Sequence, residues 1–160
     1  SVDQSKAATE ILKKFNFLDS NRVGIWGWSG GGQMTLNCMF RYPDIYKTGL
    51  AVSFVSDQKL YDATYQERYM GLLETNAKGY FDGSPINHAK NLRGNLFIIH
   101  GTGDDNVHYQ SFEMLINELI KNNKLFSMMS YPMRTHSINE GANTTLHLRR
   151  TMEKYWLANL

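Results

Sequence analysis

A serine lies at the centre of a glycine-rich turn, Gly27-Trp-Ser-Gly-Gly31. A short apolar stretch, Val23 to Trp26, precedes the turn, and a segment of helical character from Gln33 to about Phe40 follows it. A serine in a sharp strand-to-helix turn takes a strained backbone conformation that lifts its hydroxyl clear of the sheet. The two outer glycines are expected because strand and helix approach each other too closely for a Cβ. Ser29 is therefore predicted to be a nucleophile, and an ordinary glycine-rich turn or a phosphate-binding loop is the alternative.

A nucleophilic serine needs a base to take its proton, and the base needs a carboxylate to orient it. In α/β-hydrolases the carboxylate and then the histidine follow the serine along the chain. Asp104 and Asp105 come directly after an apolar stretch, at the end of a strand where open α/β sheets build their sites. We prefer Asp104 as the orienting carboxylate because Gly-x-x-Asp-x-x-Val is the usual loop pattern there. Two ordinary acids at the start of a helix are the alternative.

Five histidines compete for the role of base. His88 and His100 precede the aspartates, His108 lies too close to them in sequence, and His147 belongs to the last predicted helix. His136 follows the last predicted strand and precedes that helix, which is the position of the base in this chain order. A loop histidine with no function is the alternative. The Gly30 N–H is the expected donor to an oxyanion, and no second donor stands out.

Strands that alternate with helices predict an α/β protein with a mostly parallel sheet of about four strands. The first helix is predicted from Val2 to about Phe17 with Asp3 as its N-cap, and the segment 57–91 is expected to be an irregular insertion that shapes a site. Strands are predicted at 23–26, 50–55, 95–99 and 126–131, and further helices around 112–120 and 144–157. The apolar face of the first helix is formed by Ala7, Ala8, Ile11, Leu12 and Phe15. The inner face of the last helix is formed by Leu148, Met152, Tyr155 and Trp156.

Composition limits the function classes. A chain of 160 residues fits one domain, and a net charge of +2 with scattered basic residues gives no reason to expect nucleic acid. The single cysteine, Cys38, excludes an intrachain disulfide and a cysteine-based zinc site, and is expected to be packed in the core. No stretch has the length of a membrane span. We expect no metal and no organic cofactor.

Three segments together resemble the catalytic domain of prolyl oligopeptidase-family serine peptidases, and most of all the dipeptidyl peptidase IV branch. They are Gly-Trp-Ser-Gly-Gly-Gly at 27–32, Tyr-Asp-Ala-Thr-Tyr-Gln-Glu-Arg-Tyr-Met-Gly at 61–71, and His-Gly-Thr-Gly-Asp-Asp-Asn-Val-His at 100–108. The resemblance implies that residues 1–160 are a single partial domain, the C-terminal half of an α/β-hydrolase fold. It also implies a peptide substrate and a periplasmic or secreted location.

The implied activity is release of X-Pro or X-Ala dipeptides from peptide N-termini through an acyl-enzyme. The alternatives are an acylaminoacyl peptidase or esterase on the same fold, or an inactive fragment that associates with itself. The resemblance also implies the substrate contacts. Tyr61 and Tyr65 would line the pocket for the residue before the scissile bond, together with Val55 and Val107, and Asn106 would donate a hydrogen bond to a substrate carbonyl.

The sequence departs from these relatives in three ways. Gly30 stands where they usually carry a tyrosine, and Gln58 stands where dipeptidyl peptidase IV has a tryptophan in the pocket wall. The relatives also have strands before the serine strand, a tyrosine that completes the oxyanion hole, and a β-propeller, none of which residues 1–22 can replace. The strand at 23–26 is therefore expected to have one free edge, and the chain alone is predicted not to be a stable monomer. It is expected to form a homodimer or pair strands across a symmetry axis, or to be part of a longer protein.

Overall fold

The computed structural model describes residues 1–160 and contains one parallel sheet of four strands in the order β1-β2-β3-β4. The strands are β1 Gly24–Trp28, β2 Thr48–Val52, β3 Asn95–Gly101 and β4 Ser127–Tyr131. Every neighbouring pair is parallel and in sequence order, so each connection crosses from one end of the sheet back to the other. The predicted α/β class with a four-stranded sheet is confirmed.

Six α-helices surround the sheet: α1 Val2–Lys14, α2 Gly30–Arg41, α3 Ala63–Met70, α4 Ala77–Gly83, α5 Gln110–Lys121 and α6 Thr144–Asn159. Successive strand residues point to opposite faces, which gives the sheet two separate apolar layers. One layer joins α2 and α5 to one face of the sheet, and the other joins α6 to the opposite face. Cys38 is buried in the first layer, as predicted. No helix is both long enough and apolar enough to cross a membrane.

The predicted inner face of α6 is confirmed, because Leu148 and Met152 are buried and Tyr155 and Trp156 pack against the same layer. The prediction for α1 was partly wrong. The helix ends at Lys14, not at Phe17, and its N-cap is Ser1, not Asp3. Its only buried residue is Ser5, whose hydroxyl hydrogen-bonds the Tyr46 hydroxyl at 3.4 Å.

The face predicted for α1 from its apolar residues is largely open to solvent. Ile11 is 50% exposed and Phe15 lies beyond the helix in an extended conformation, while Ala8 and Leu12 are half-buried. The helix rests on its neighbours through Ser5 and Ala8, on the side where Leu12 is half-buried. The chain therefore covers only the Ala8 and Leu12 part of the predicted apolar face and leaves its Ile11 side open.

The segment 57–91 is more regular than predicted. It contains α3, α4 and two 3₁₀ turns, Gln58–Leu60 and Pro85–Asn91. The Asp62 carboxylate accepts from the Tyr65 N–H at the start of α3, and the Asn76 side chain accepts from the Gly79 N–H at the start of α4. Side-chain caps of this kind stabilise short helices, and helices of eight and seven residues are too short to show a clear apolar period.

Element ends also differ from the predictions near the serine. β1 continues to Trp28 and α2 begins at Gly30, so the turn between them is a single residue. β2 ends at Val52, three residues earlier than predicted, because Ser53 takes a positive φ of 46° that a strand cannot continue through.

Candidate active site

Ser29 is the one residue between the end of β1 and the start of α2. Its backbone has φ 58° and ψ −122°, which is the strained conformation predicted for a serine at such a turn. The Ser29 N–H donates to the Val52 carbonyl at 2.9 Å, and the Ser29 carbonyl accepts from the Gln33 N–H at 3.0 Å. These bonds to β2 and α2 hold the strained residue from both sides, and its side chain is half-buried at the carboxyl end of the sheet.

The tight packing of α2 on the sheet explains two of the neighbouring glycines. A Cβ at Gly27 would lie 2.2 Å from the Gly31 carbonyl carbon, and a Cβ at Gly32 would lie 2.8 Å from the Val52 carbonyl oxygen. A Cβ at Gly31 would meet nothing within 4 Å. The expectation was therefore right for Gly27 and wrong for Gly31, because the first turn of α2 places Gly32, not Gly31, against β2.

Asp104 lies in the loop after β3 and is buried, whereas its neighbour Asp105 is exposed. One carboxylate oxygen, Oδ1, accepts from the backbone N–H groups of Asn106 at 3.0 Å and Val107 at 2.9 Å. The other, Oδ2, lies 2.8 Å from His136 Nδ1. Of the two candidate aspartates, Asp104 is the one placed against a histidine.

His136 lies in the loop between β4 and α6, and its side chain is one-fifth exposed. Its backbone carbonyl accepts from Trp28 Nε1 at 2.9 Å and from Ser53 Oγ at 3.3 Å. Trp28 precedes the serine in sequence and Ser53 follows β2, so the histidine loop is tied to the ends of β1 and β2. Sequence reasoning did not single out these two donors.

A second histidine, His100, contacts the same carboxylate. It is the last residue but one of β3 and is fully buried, with Nε2 at 2.8 Å from the Val107 carbonyl and 3.2 Å from Asp104 Oδ2. Burial alone would raise the pKa of Asp104. The hydrogen bonds from His100, from His136 and from the Val107 N–H outweigh it and hold that pKa well below its ordinary value. The carboxylate is therefore ionised at neutral pH.

The contact with Asp104 uses only one of the two ring nitrogens of His136. Nδ1 faces Asp104, so Nε2 is the atom that remains to exchange a proton. The hydrogen bonds of the structure include none from Ser29 Oγ to His136. Catalytic hydrogen bonds are often long in an enzyme without substrate. The structure thus pairs the predicted acid and base and brings the predicted nucleophile to the same end of the sheet.

The other residues predicted to contact substrate lie in the segment after β2 and in the loop after β3. The Tyr61 hydroxyl donates to Asn106 Oδ1 at 3.0 Å, and the Tyr61 and Tyr65 rings meet edge to face with centroids 5.4 Å apart. Tyr65 is 53% exposed, whereas Val55 and Val107 are buried. The two tyrosines offer an aromatic surface, and the two valines are part of the core beneath the loops.

Two of the three departures from the related sequences, Gly30 and Gln58, lie at one cavity. A Cβ at Gly30 would point into open space, and a cavity of about 230 Å³ beside it is lined by Gly30, Gln33, Asn37 and Gln58 among others. The Gln58 side chain is held by a hydrogen bond from the buried Gln66 amide. The space beside Gly30 is therefore open, and three of the residues that line it carry side-chain amides. No group of three or more histidine, cysteine or carboxylate side chains could hold a metal ion.

Comparison with known proteins identifies the family. Residues 1–160 match the family model described as the prolyl oligopeptidase family. The chain belongs to this family. It is 35% identical over 158 residues to the venom dipeptidyl peptidase 4 of Apis mellifera, which covers 96% of this chain and 20% of that protein. It is 43% identical over 120 residues to the dipeptidyl peptidase 4 of Trichophyton equinum, covering 74% of this chain and 15% of that protein.

Solved structures of the family confirm the fold. The crystal structure of Porphyromonas gingivalis dipeptidyl peptidase 4 has a TM-score of 0.94 and 41% sequence identity, covering 99% of this chain and 22% of that one. A putative dipeptidyl aminopeptidase IV from Bacteroides ovatus has a TM-score of 0.92 and 36% identity with the same coverage. The chain therefore spans about one fifth of the length of the family members it matches, and its sheet and helices have the fold of part of their catalytic domain.

Proposed function

We propose that the protein containing this chain is a serine peptidase of the dipeptidyl peptidase IV kind. It would release X-Pro or X-Ala dipeptides from peptide N-termini, with Ser29 as nucleophile, His136 as base and Asp104 as its orienting carboxylate. The observation that carries the proposal is the 2.8 Å contact between His136 Nδ1 and Asp104 Oδ2, at the end of the sheet where Ser29 stands in its strained turn. Family membership supports the same reaction class.

In the first half of the reaction, Ser29 Oγ attacks the carbonyl carbon of the scissile peptide bond while His136 Nε2 takes the hydroxyl proton. The carbonyl oxygen becomes an oxyanion. The tetrahedral intermediate collapses when the carbon–nitrogen bond breaks, and His136 gives its proton to the departing amine. The N-terminal dipeptide is left as an ester on Ser29.

In the second half, water attacks the ester carbonyl and gives a proton to His136 Nε2. Collapse of the second intermediate breaks the bond to Ser29 Oγ, which regains a proton from His136, and the dipeptide leaves as a carboxylic acid. Asp104 stays ionised throughout, and it fixes the Nδ1–H tautomer of His136 and stabilises the imidazolium form.

The oxyanion is assigned to the Gly30 N–H. Gly30 is the first residue of α2, and the first N–H groups of a helix have no acceptor within it. The positive end of the dipole of this 12-residue helix adds to the same effect. A donor outside this chain would complete the oxyanion hole, in line with the tyrosine implied by the family resemblance.

The substrate side chain before the scissile bond is assigned to the surface formed by Tyr61 and Tyr65. Edge-to-face aromatic rings make a flat apolar slot, which suits the ring of proline and its lack of an N–H. Asn106 accepts from Tyr61 through Oδ1, so its amide N–H groups remain to donate to a substrate carbonyl. A periplasmic or extracellular location completes the proposal and rests on the family resemblance, whereas a homodimer is proposed from the free edge of β1.

The test uses the full-length protein and three anilide substrates: Gly-Pro, Gly-Ala and N-acetyl-Ala. Turnover of both dipeptide substrates, with little turnover of the acetylated one, is the expected result. Preference for the acetylated substrate would assign the protein to the acylaminoacyl peptidases. Failure of all three, together with no reaction with a fluorophosphonate, would contradict the serine hydrolase assignment itself.

A further inference from the structure

His100 is a buried titratable side chain that the proposed reaction does not use. It is the sixth residue of β3, fully buried, and lies four residues before Asp104. Its ring is packed against three aromatic side chains, with centroid distances of 5.6 Å to Phe54, 5.8 Å to Tyr109 and 5.6 Å to Phe112. A polar ring in such surroundings is costly unless its nitrogen atoms are satisfied.

The contacts of His100 determine which of its nitrogens carries the proton. Nε2 faces two acceptors, the Val107 carbonyl oxygen at 2.8 Å and Asp104 Oδ2 at 3.2 Å, so it must be a donor. Nδ1 is buried and has no hydrogen-bond partner. A proton on Nδ1 would create a buried donor without an acceptor, so the geometry favours the neutral Nε2–H tautomer.

The Asp104 carboxylate consequently has four N–H groups close to it. Oδ1 accepts from the Asn106 and Val107 backbone and Oδ2 accepts from His136, while His100 Nε2, whose N–H donates to the Val107 carbonyl, lies 3.2 Å from Oδ2. The two backbone donors come from the same loop as Asp104 itself. His100 is the donor that ties the carboxylate to the sheet, because it is the one that belongs to a strand.

We infer that His100 is a positioning residue for Asp104: its Nε2–H holds the Val107 carbonyl, and with it the loop of Asp104, to β3, and it also lies against the oxygen that orients the base. The Val107 N–H in turn donates to Asp104 Oδ1. The inference rests on the proposed function of Asp104 and His136. The positive end of an N–H dipole close to Oδ2 offsets part of the negative charge that acts on His136. His100 thus fixes the carboxylate while weakening its stabilisation of the His136 imidazolium.

Few other charges act on this arrangement. Tyr109, the residue before α5, is the titratable side chain that faces His100, and its hydroxyl is already bonded to Ser130 Oγ at 2.6 Å. Asp105 and His108, in the loop of Asp104, are exposed. The pH dependence of the reaction is therefore expected to follow the His100–Asp104–His136 group.

The experiment compares two replacements of His100 in the full-length protein. His100→Gln keeps an N–H donor near the position of Nε2, whereas His100→Met fills the aromatic surroundings without a donor. His88→Met is the matched control, since His88 Nε2 lies 3.0 Å from the Asp82 carbonyl oxygen and has no carboxylate partner. The readouts are kcat/KM of Gly-Pro anilide as a function of pH and circular dichroism for folding.

We expect His100→Met to lower kcat/KM about 10²-fold, the scale of a small misplacement of a catalytic group, and to move the acid limb of the profile to higher pH. His100→Gln should restore the wild-type acid limb, and His88→Met should leave it unchanged. An acid limb at the wild-type pH in a folded His100→Met protein would overturn the inference.

If His100→Met does not fold, the inference is tested with His100→Gln alone. A folded His100→Gln protein whose acid limb is displaced from that of the wild type would overturn the inference. An incorrect proposed function would give a different result, because the wild-type protein would then not react with a fluorophosphonate at all.

Discussion

The middle of the sheet and the flank formed by β1 and α1 are packed very differently. All five residues of β2 and six of the seven of β3 are buried, but only one of the five residues of β1 is. The helices repeat the contrast. α5 buries Phe112, Leu115 and Leu119, whereas the only buried residue of α1 is a serine. Trp26 on β1 is 52% exposed.

The parts of the proposed active site are connected to different degrees. Asp104 and His136 follow β3 and β4 and are hydrogen-bonded to each other. Ser29 follows β1 and is bonded through its backbone to β2 and α2, but it has no hydrogen bond to the base. β1 and β4 are the two edge strands and bury one residue each, so the nucleophile and the base both follow an edge of the sheet. We expect the isolated chain to hold a formed acid–base pair to which the nucleophile is not yet bonded.

The largest effect is expected from removing the nucleophile in the full-length protein. Ser29→Ala should lower kcat by about 10⁶-fold, and adding His136→Ala should cost little more, because the members of such a triad act as a unit. Ser137→Ala, which changes an exposed serine beside His136, is the control and should retain activity. If the loss of kcat in the double variant equals the product of the losses in the two single variants, Ser29 and His136 act independently.

The next effect separates the two aspartates of the β3 loop. Asp104→Asn should lower kcat by about 10⁴-fold, because the amide would favour the wrong tautomer of the histidine. Asp105→Asn should have little effect, since Asp105 is exposed. Steady-state kinetics of both variants test this prediction. A larger loss of kcat in Asp105→Asn than in Asp104→Asn would assign the orienting role to Asp105.

A smaller effect, which depends on the substrate, is expected from the aromatic slot formed by Tyr61 and Tyr65. Tyr65→Ala should raise the barrier for proline before the scissile bond by about 1–3 kcal/mol more than for alanine, the scale of one pocket contact. The rate of labelling by a small fluorophosphonate should not change, because the slot selects the acyl group without activating Ser29. Equal losses on Gly-Pro and Gly-Ala anilides would indicate that Tyr65 only supports the fold.

The smallest effect concerns the open flank. We propose that the isolated chain associates through β1 and α1, because an edge strand with unpaired N–H and C=O groups beside apolar side chains is a template for pairing. Trp26→Lys should weaken self-association about 10-fold, or about 1.4 kcal/mol, as measured by light scattering at micromolar concentration. Leu125→Lys is the control, because Leu125 is 90% exposed on a loop away from that edge. A monodisperse wild-type monomer that unfolds cooperatively would contradict the proposal.

The elements that sequence patterns predicted well are those whose pattern agrees with their packing. β3 and α5 carry long apolar runs or a clear helical period, and both are buried as that pattern requires. Ser29, Asp104 and His136 could be chosen because each follows a strand in a fixed chain order. α1 shows the limit of this reasoning, since the chain covers only the Ala8 and Leu12 part of its apolar face.

Other features depend on contacts between distant segments and leave no local signal. Trp28 bonds the carbonyl of His136 across 108 positions of sequence. Glycine is required at position 32, and not at 31, because the end of β2 lies against α2 at position 32. His100 was excluded as the base by its place in the chain order, and that order says nothing about a second donor to Asp104.

The most direct test of the proposed active site is the identification of the residue that reacts with a fluorophosphonate in the full-length protein. Peptide mass spectrometry after labelling should find the modification on Ser29 alone. His136→Ala should reduce the labelling rate by several orders of magnitude, and Asp105→Asn should leave it unchanged. Labelling at another serine, or labelling of Ser29 at an undiminished rate in His136→Ala, would contradict the assignment of Ser29 and His136 as nucleophile and base.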